Sequence, residues 1–317
     1  MADVACLGIL VADVWALPID EWPQRGRLSL VDELGMGLGG CAANTGLALD
    51  KLGVDTAVMG KVGDDGFGHF VTDTLQDGGA NIDGVVVDPG SATSATMIMI
   101  DSEGERTFLH YPGANGTLRP GELDIELAGD SKILHFAGAL VMGHFDGEPM
   151  AQVMRDAAKR GATISLDTVW DDSGGWMDTL QPCLKHTQLF LPSLAEAQEL
   201  TRKLEPEDVA QALLDYGVEI VALKDGPNGS YVASADTYLH VPAYEVKAVD
   251  GTGAGDAYVA GFLRGYLDGW DLERTAKFAN AIGALCTTAV GTLDGVRSYP
   301  EAIAFLKERE PDSWGDF

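Results

Sequence analysis

KILHFAGALVMGHFDGEPMAQVMRDAAKRGATISLD (132–167) holds three pieces in a row. KILHFAG is an apolar run of strand length. GEPMAQVMRDAAKRG spaces its apolar residues as a helix does and ends on glycine, and ATISLD is a second apolar run. Two strands separated by a helix cannot close as a hairpin, so they pair in parallel with the helix packed across them. The alternation continues through TQLFLP (187–192), SLAEAQELTRKL (193–204), EDVAQALLDYG (207–217) and VEIVALKDG (218–226). This pattern predicts an α/β fold, a doubly wound and mostly parallel central sheet with helices on both faces. Such sheets bind ligands beyond the carboxyl ends of their strands. That rule singles out Asp167, Pro192, Ser193 and the stretch from Lys224 to Gly226.

The first third is patterned differently. CLGILVADVW (6–15) reads as one buried strand, and GRLSLVDELGMG (26–37) alternates only in part. ATSATMIMIDSEGERTFLHYPGAN (92–115) reads as a hairpin joined at DSEGE. Helices on both faces of the main sheet leave no room for these pieces within it. A small β lid over one edge is predicted instead, from segments near 14–36 and 94–112, within a single domain spanning 1–317. No internal repeat, low-complexity tract or linker is evident.

Charge and cysteines exclude several functions. The chain of 317 residues carries 21 Lys and Arg against 49 Asp and Glu, a formal net charge of −28. No basic run interrupts the acidic surface, so nucleic acid and anionic membrane are poor partners. The start, MADVACLGILVADVW, has Asp3 where a signal peptide carries positive charge, and its apolar core is too short to span a bilayer. A cytoplasmic protein is expected. Cys6, Cys41, Cys183 and Cys286 form no CxxC pair and accompany no histidine pair, which suggests reduced thiols rather than zinc or disulfides.

DGTGAGDAYVAGFLRGY (250–266) raises a chemical question. After Asp256, Tyr258, Val259, Phe262, Leu263 and Tyr266 form a helical stripe, so Asp256 sits in a first helical turn. Before it, GTGAG lacks bulky side chains, so the N–H groups of Gly253, Ala254 and Gly255 can converge on one anion, helped by the helix dipole. A carboxylate there repels a phosphate that is merely bound, but it suits one being transferred to a hydroxyl whose proton Asp256 accepts. The plainer alternative is an acidic residue that stabilises a helix start by about 0.3–1 kcal/mol. The local pattern leaves both open.

Two motifs together narrow the choice. DGTGAGD resembles the C-terminal signature of the ribokinase-like carbohydrate kinase family. GGCAANTGLALDKLG (39–53), with GKVGDDGFG (60–68), resembles its N-terminal signature. The resemblance runs from Gly8 to about Gly295 and implies an ATP-dependent kinase for a hydroxyl of a sugar or sugar-like substrate. It implies Asp256 as catalytic base, with Gly253, Ala254 and Gly255 as the anion hole. It also implies Asp13, Gly39, Gly40 and Asn44 as sugar-binding residues, and the hairpin around Arg106 as part of the lid. LKDGPNGS (223–230) resembles the family's nucleotide-side turn, which implies Lys224, Gly226 and Gly229 as ATP-binding, and Asn280 matches a position bordering the adenine. LPSLAEA (191–197) resembles an element that organises Mg2+ through water, with Glu196 kept and Ser193 in place of the usual Asn. In several relatives Asp250 and Thr252 would help bind K+, and Gly251 replaces the more usual Thr. A homodimer through the lid is implied too.

Rival functions remain in view. GMGLGG (35–40) satisfies the dinucleotide-binding glycine pattern, but the stretch before it reads as lid, and no Walker phosphate loop is present. A nucleoside kinase of the same fold is an alternative, because Trp15 and Met36 could pack on a base. So is an inactive sugar-binding homologue, given the departures at Gly251 and Ser193.

Overall fold

The computed structural model describes residues 2–314. Among these, the strands are β1 (Val4–Gly8), β2 (Val11–Leu17), β3 (Glu33–Gly39), β4 (Thr56–Gly63), β5 (Asn81–Asp88), β6 (Ala95–Ile100) and β7 (Arg106–Tyr111), then β8 (Ile133–Ala139), β9 (Thr163–Thr168), β10 (Leu189–Phe190), β11 (Ile220–Lys224), β12 (Ser230–Ser234) and β13 (Thr237–Val241). The large sheet has the order β13-β12-β11-β10-β9-β8-β1-β4-β5, parallel except at the β11–β12–β13 end. β1 and β4 are buried along their whole length, as strands covered on both faces must be. Side chains of β1 alternate between two apolar cores. Val4 and Cys6 join the core under the helices Cys41–Lys51, Ala254–Leu267 and Leu272–Cys286. Ala5 and Leu7 join the one under Glu148–Arg160, Trp176–Leu184 and Pro206–Asp215.

The chain winds outward in opposite directions from β1, through β4 and β5 on one side and β8 to β11 on the other. Such a reversal opens a crevice at the strand ends, where ligands bind. The stretch that opened the sequence analysis appears as β8, the helix Glu148–Arg160 and β9. Gly161, at a left-handed φ of 107°, ends that helix.

The small sheet is a lid of order β3-β2-β6-β7. Its β6–β7 hairpin pairs Ile100 with Arg106 across the expected turn. CLGILVADVW corrects the expectation of one strand, since it divides into β1 in the large sheet and β2 in the small one. A Cβ on Gly8 would lie 1.9 Å from the Ala137 carbonyl oxygen, so β1 and β8 are pressed together where the chain leaves the large sheet. Asp13 therefore lies inside β2 rather than at the end of a first strand. GMGLGG is correspondingly strand β3 running into the next helix. Its Gly35 underlies the Trp15 ring, at 2.1 Å from a built Cβ, which leaves no dinucleotide turn there.

No helix among the described residues is long and apolar enough to cross a membrane. A net charge of −28 destabilises any compact state by self-repulsion, and salt screens it. The melting temperature should accordingly rise as salt goes from about 0.01 M to about 1 M, where the screening length falls from about 30 Å to about 3 Å. A flat or falling melting curve across that series would contradict it.

Candidate active site

Two helix starts meet at one carboxylate. Gly40, at φ 95°, precedes the helix Cys41–Lys51, and Gly253, at φ 76°, precedes Ala254–Leu267. Both need glycine twice over. Each φ is left-handed, and a Cβ would lie 2.4 Å from the Ile9 carbonyl oxygen at Gly40 and 2.2 Å from that of Thr292 at Gly253. Held this way, Asn44 Nδ2 donates to Asp256 Oδ2 at 2.8 Å, and the Thr45 hydroxyl donates to the Asp256 carbonyl at 3.5 Å. The Cys41 thiol donates to the same carboxylate from the first position of its helix. Burial raises the Asp256 pKa above the ordinary range against the pull of Asn44, Lys224 and Cys41, and the Glu196 carboxylate adds to the rise.

On the facing wall, Lys224 Nζ pairs with Asp167 Oδ2 at 2.6 Å, with side-chain exposures of 14% and 3%. Lys224 ends β11 and Asp167 is next to last in β9, the two strands that flank β10, and β10 is only two residues long. Its early end lets the two side chains meet above it. Burial pushes Asp167 up to about 7 although Lys224 pulls it down. A Cβ built on Gly255 would stand 3.7 Å from Lys224 Nζ, so the ammonium faces the glycine turn directly.

These walls enclose a cleft of about 660 Å3 lined by Asp256, Gly253 to Gly255, Lys224, Gly226, Gly229, Glu196 and Asn280. The structure thus brings the nucleotide-side and catalytic candidates into one volume. Gly226 and Gly229 do form a hairpin turn between β11 and β12, and that turn is a wall of the cleft. Asp13, Gly39 and Gly40 are not among its lining residues. Asp13 packs against Gly39, where a Cβ would sit 2.2 Å from Asp13 Oδ2, and burial raises its pKa to about 6 against a hydrogen bond from Thr96.

Four candidates look different at atomic detail. The Ala254 N–H is committed to the Gly251 carbonyl at 3.2 Å, because residues 251–254 close a turn. Gly253 and Gly255 keep their N–H groups without a chain partner among the described residues. Two of the three expected amides remain for an anion. Asn280 spends its amide N–H groups on the Val241 and Pro242 carbonyls, at 2.9 and 3.2 Å, so it fixes the end of β13 as well as lining the cleft. Glu196 is held in a capping box. Its Oε2 accepts from Ser193 N at 3.0 Å and the Thr168 hydroxyl at 3.1 Å, and Ser193 Oγ accepts from Glu196 N at 3.2 Å. Serine at 193 therefore has a full structural role in place of the amide. Asp250 binds the lid residue Arg106, Nη2 to Oδ2 at 2.7 Å, and Arg106 also donates to the Thr252 hydroxyl. Although burial opposes it, this guanidinium, with the Gly291 and Thr252 N–H groups, draws the Asp250 pKa down to about 2.

Cys41 and Thr168 are site residues that sequence reasoning missed. Cys41 stands inside the N-terminal motif, where its position three residues before Asn44 was a usable signal. Thr168 carried none.

No group of three or more His, Cys, Asp or Glu side chains among the described residues is placed to hold a metal ion. Glu196, a single carboxylate fixed at the cleft wall, suits Mg2+ that arrives on phosphate oxygens and keeps most of its water.

The chain is similar along nearly its whole length to proteins of known kind. Residues 1–298 match the model of the pfkB family carbohydrate kinases. Fructokinase-2 of Oryza sativa subsp. japonica is 30% identical over 316 residues, covering 94% of this chain and 94% of that protein. The ATP-dependent ribose-1-phosphate kinase of Halopiger xanaduensis is 33% identical over 298 residues, covering 92% and 94%. Among solved structures, Ribokinase II of E. coli in complex with ATP and Mg2+ superposes with a TM-score of 0.85 at 26% identity, covering 97% of this chain and all of that one. Sequence match along nearly the whole chain and shared architecture agree, and the chain belongs to the pfkB family of carbohydrate kinases.

Proposed function

We propose that this carbohydrate kinase transfers the γ-phosphoryl group of ATP to a sugar hydroxyl, with Asp256 as the base. The observation that carries this is Asp256 itself. It is a carboxylate oriented by Asn44, raised in pKa by burial, and set one residue after a free Gly255 N–H in a cleft that also holds Lys224. The sugar O–H gives its proton to Asp256 as the oxygen attacks the γ-phosphorus. The bond from that phosphorus to the β–γ bridging oxygen breaks, and ADP leaves with that oxygen. The Gly253 and Gly255 N–H groups receive the charge on the transferring group, and Lys224 neutralises charge on the phosphates beside them. Glu196 would hold Mg2+ through water, and the ion supplies neutralisation of the nucleotide phosphates. The small sheet, closing over the cleft, excludes water as a rival acceptor. We place the homodimer contact on the outer face of that sheet, opposite the one that carries Arg106, where the paired residues Met97 and Leu109 are about half exposed.

An ADP-release screen with ATP and Mg2+ tests this. It should cover pentoses, hexoses, keto-deoxy acids, polyols and nucleosides, and include fructose and ribose 1-phosphate, the substrates that two relatives' names indicate. Release dependent on one sugar is expected. Release with nucleosides alone, or with nothing offered, would overturn the assignment.

A further inference from the structure

Arg106 opens β7 in the small sheet, yet its guanidinium ends on the loop that carries the anion-binding amides. Asp250, whose side chain is 3% exposed, is the anchor of that loop. Its Oδ1 accepts from Thr252 N at 2.9 Å, its Oδ2 from Gly291 N at 3.0 Å, and Arg106 supplies the balancing charge. Thr292, next to Gly291, provides the carbonyl against which Gly253 is seated. One carboxylate thus ties together the glycine turn, the segment behind it and a side chain from a different sheet.

The resemblance implies a free monovalent cation at Asp250 and Thr252, and the residues present do not fit one. Arg106 holds both side chains. The Thr252 and Thr292 carbonyls face Cys286 Sγ, at 3.7 and 3.2 Å, and the Thr287 carbonyl accepts from the N–H groups of Val249 and Asp250.

We propose that Arg106 is a positioning residue that supplies, from the lid, the positive charge at Asp250 and Thr252, so that lid closure and ordering of the anion-binding turn are one event. Arg106 touches no reacting atom. Its effect passes through the Asp250 loop to the Gly253 and Gly255 amides. A lid that opens withdraws the guanidinium and loosens the turn, which couples phosphoryl transfer to closure over the sugar. This role rests on the kinase assignment above.

The test uses the full-length enzyme at fixed ionic strength in KCl, NaCl or tetramethylammonium chloride, with the substrate found by the screen. Wild type should turn over equally in all three. Arg106→Ala should lose about 10²-fold in kcat in tetramethylammonium, the scale expected when catalytic groups are misplaced. K+ or millimolar guanidinium should restore part of that loss. Arg106→Lys should fall between, because an ammonium restores the charge but not both contacts. Independently of activity, the melting temperature of Arg106→Ala should rise on exchanging tetramethylammonium for K+, while that of wild type stays fixed. A wild type that needs K+, an Arg106→Ala enzyme that turns over like wild type, or a folded Arg106→Ala that neither cation rescues would overturn the proposal. If no sugar yields ADP, the kinase assignment fails, and the two melting experiments still decide whether a cation belongs at Asp250.

Discussion

Asp256→Asn is expected to lower kcat by about 10²–10⁴-fold, the contribution of a positioned general base, while the protein folds and binds ATP as before. Asparagine keeps the shape and still offers Asn44 an acceptor, so the hydrogen bond that orients the side chain survives. Stability separates this from a helix-start role. A carboxyl whose folded pKa is raised contributes stability that is present below its unfolded pKa and lost as pH rises through the folded value. Wherever Asp256 is ionised its charge is therefore a cost, and removing that charge should leave the melting temperature unchanged or higher. A helix-stabilising acid would instead lose about 0.3–1 kcal/mol on replacement. In the wild-type pH–rate profile, the acid limb should lie above the ordinary aspartate range, since turnover requires the ionised form. Calorimetry with steady-state kinetics across pH checks all three. Wild-type turnover in Asp256→Asn would remove the base from the mechanism.

Much of this was legible because period and punctuation are local. The alternation from 132 to 226 identified the parallel sheet, since apolar runs, helical spacing and terminal glycines are written in neighbouring residues. The hairpin at 101–105 was readable for the same reason. The division of CLGILVADVW was not, because it depends on how closely Gly8 approaches Ala137, 129 positions away in a strand whose pairing follows from the whole topology. Site chemistry divides along the same line. Asp256 and its glycines are contiguous, so their joint purpose could be argued from spacing. The fate of the Ala254 amide depends on a turn closing at Gly251, and the reach of Arg106 to Asp250 depends on where the lid rests. Asp167 was flagged as a strand end, but its partner became visible only once the shortness of β10 brought β9 and β11 side chains together.

Lys224→Met is expected to damage both stability and turnover, and the two effects should separate. The substitution leaves Asp167 nearly buried and without its cation, and breaking such a pair costs about 3–5 kcal/mol when the remaining charge is forced to stay. Asp167 has an escape, since burial already holds its pKa near 7 with the lysine present, and losing the lysine raises it further. The variant's carboxyl should take up a proton at neutral pH, so the cost should be small near pH 6 and grow as pH rises above about 8, the direction required of a carboxyl with a raised folded pKa. Denaturant titrations at both pH values measure this, and a pH-independent loss would show that the pair does not behave as a coupled charge. Lys224→Met/Asp167→Leu removes the stranded group and should recover most of the stability. Turnover should not recover, because the ammonium beside Gly255 is a charged donor at the transferring phosphoryl, a contribution of about 10²–10³-fold in kcat. If the double variant regained activity together with stability, Lys224 would be only the counter-charge of Asp167, and neutralisation of the phosphates would have to come from elsewhere in the cleft.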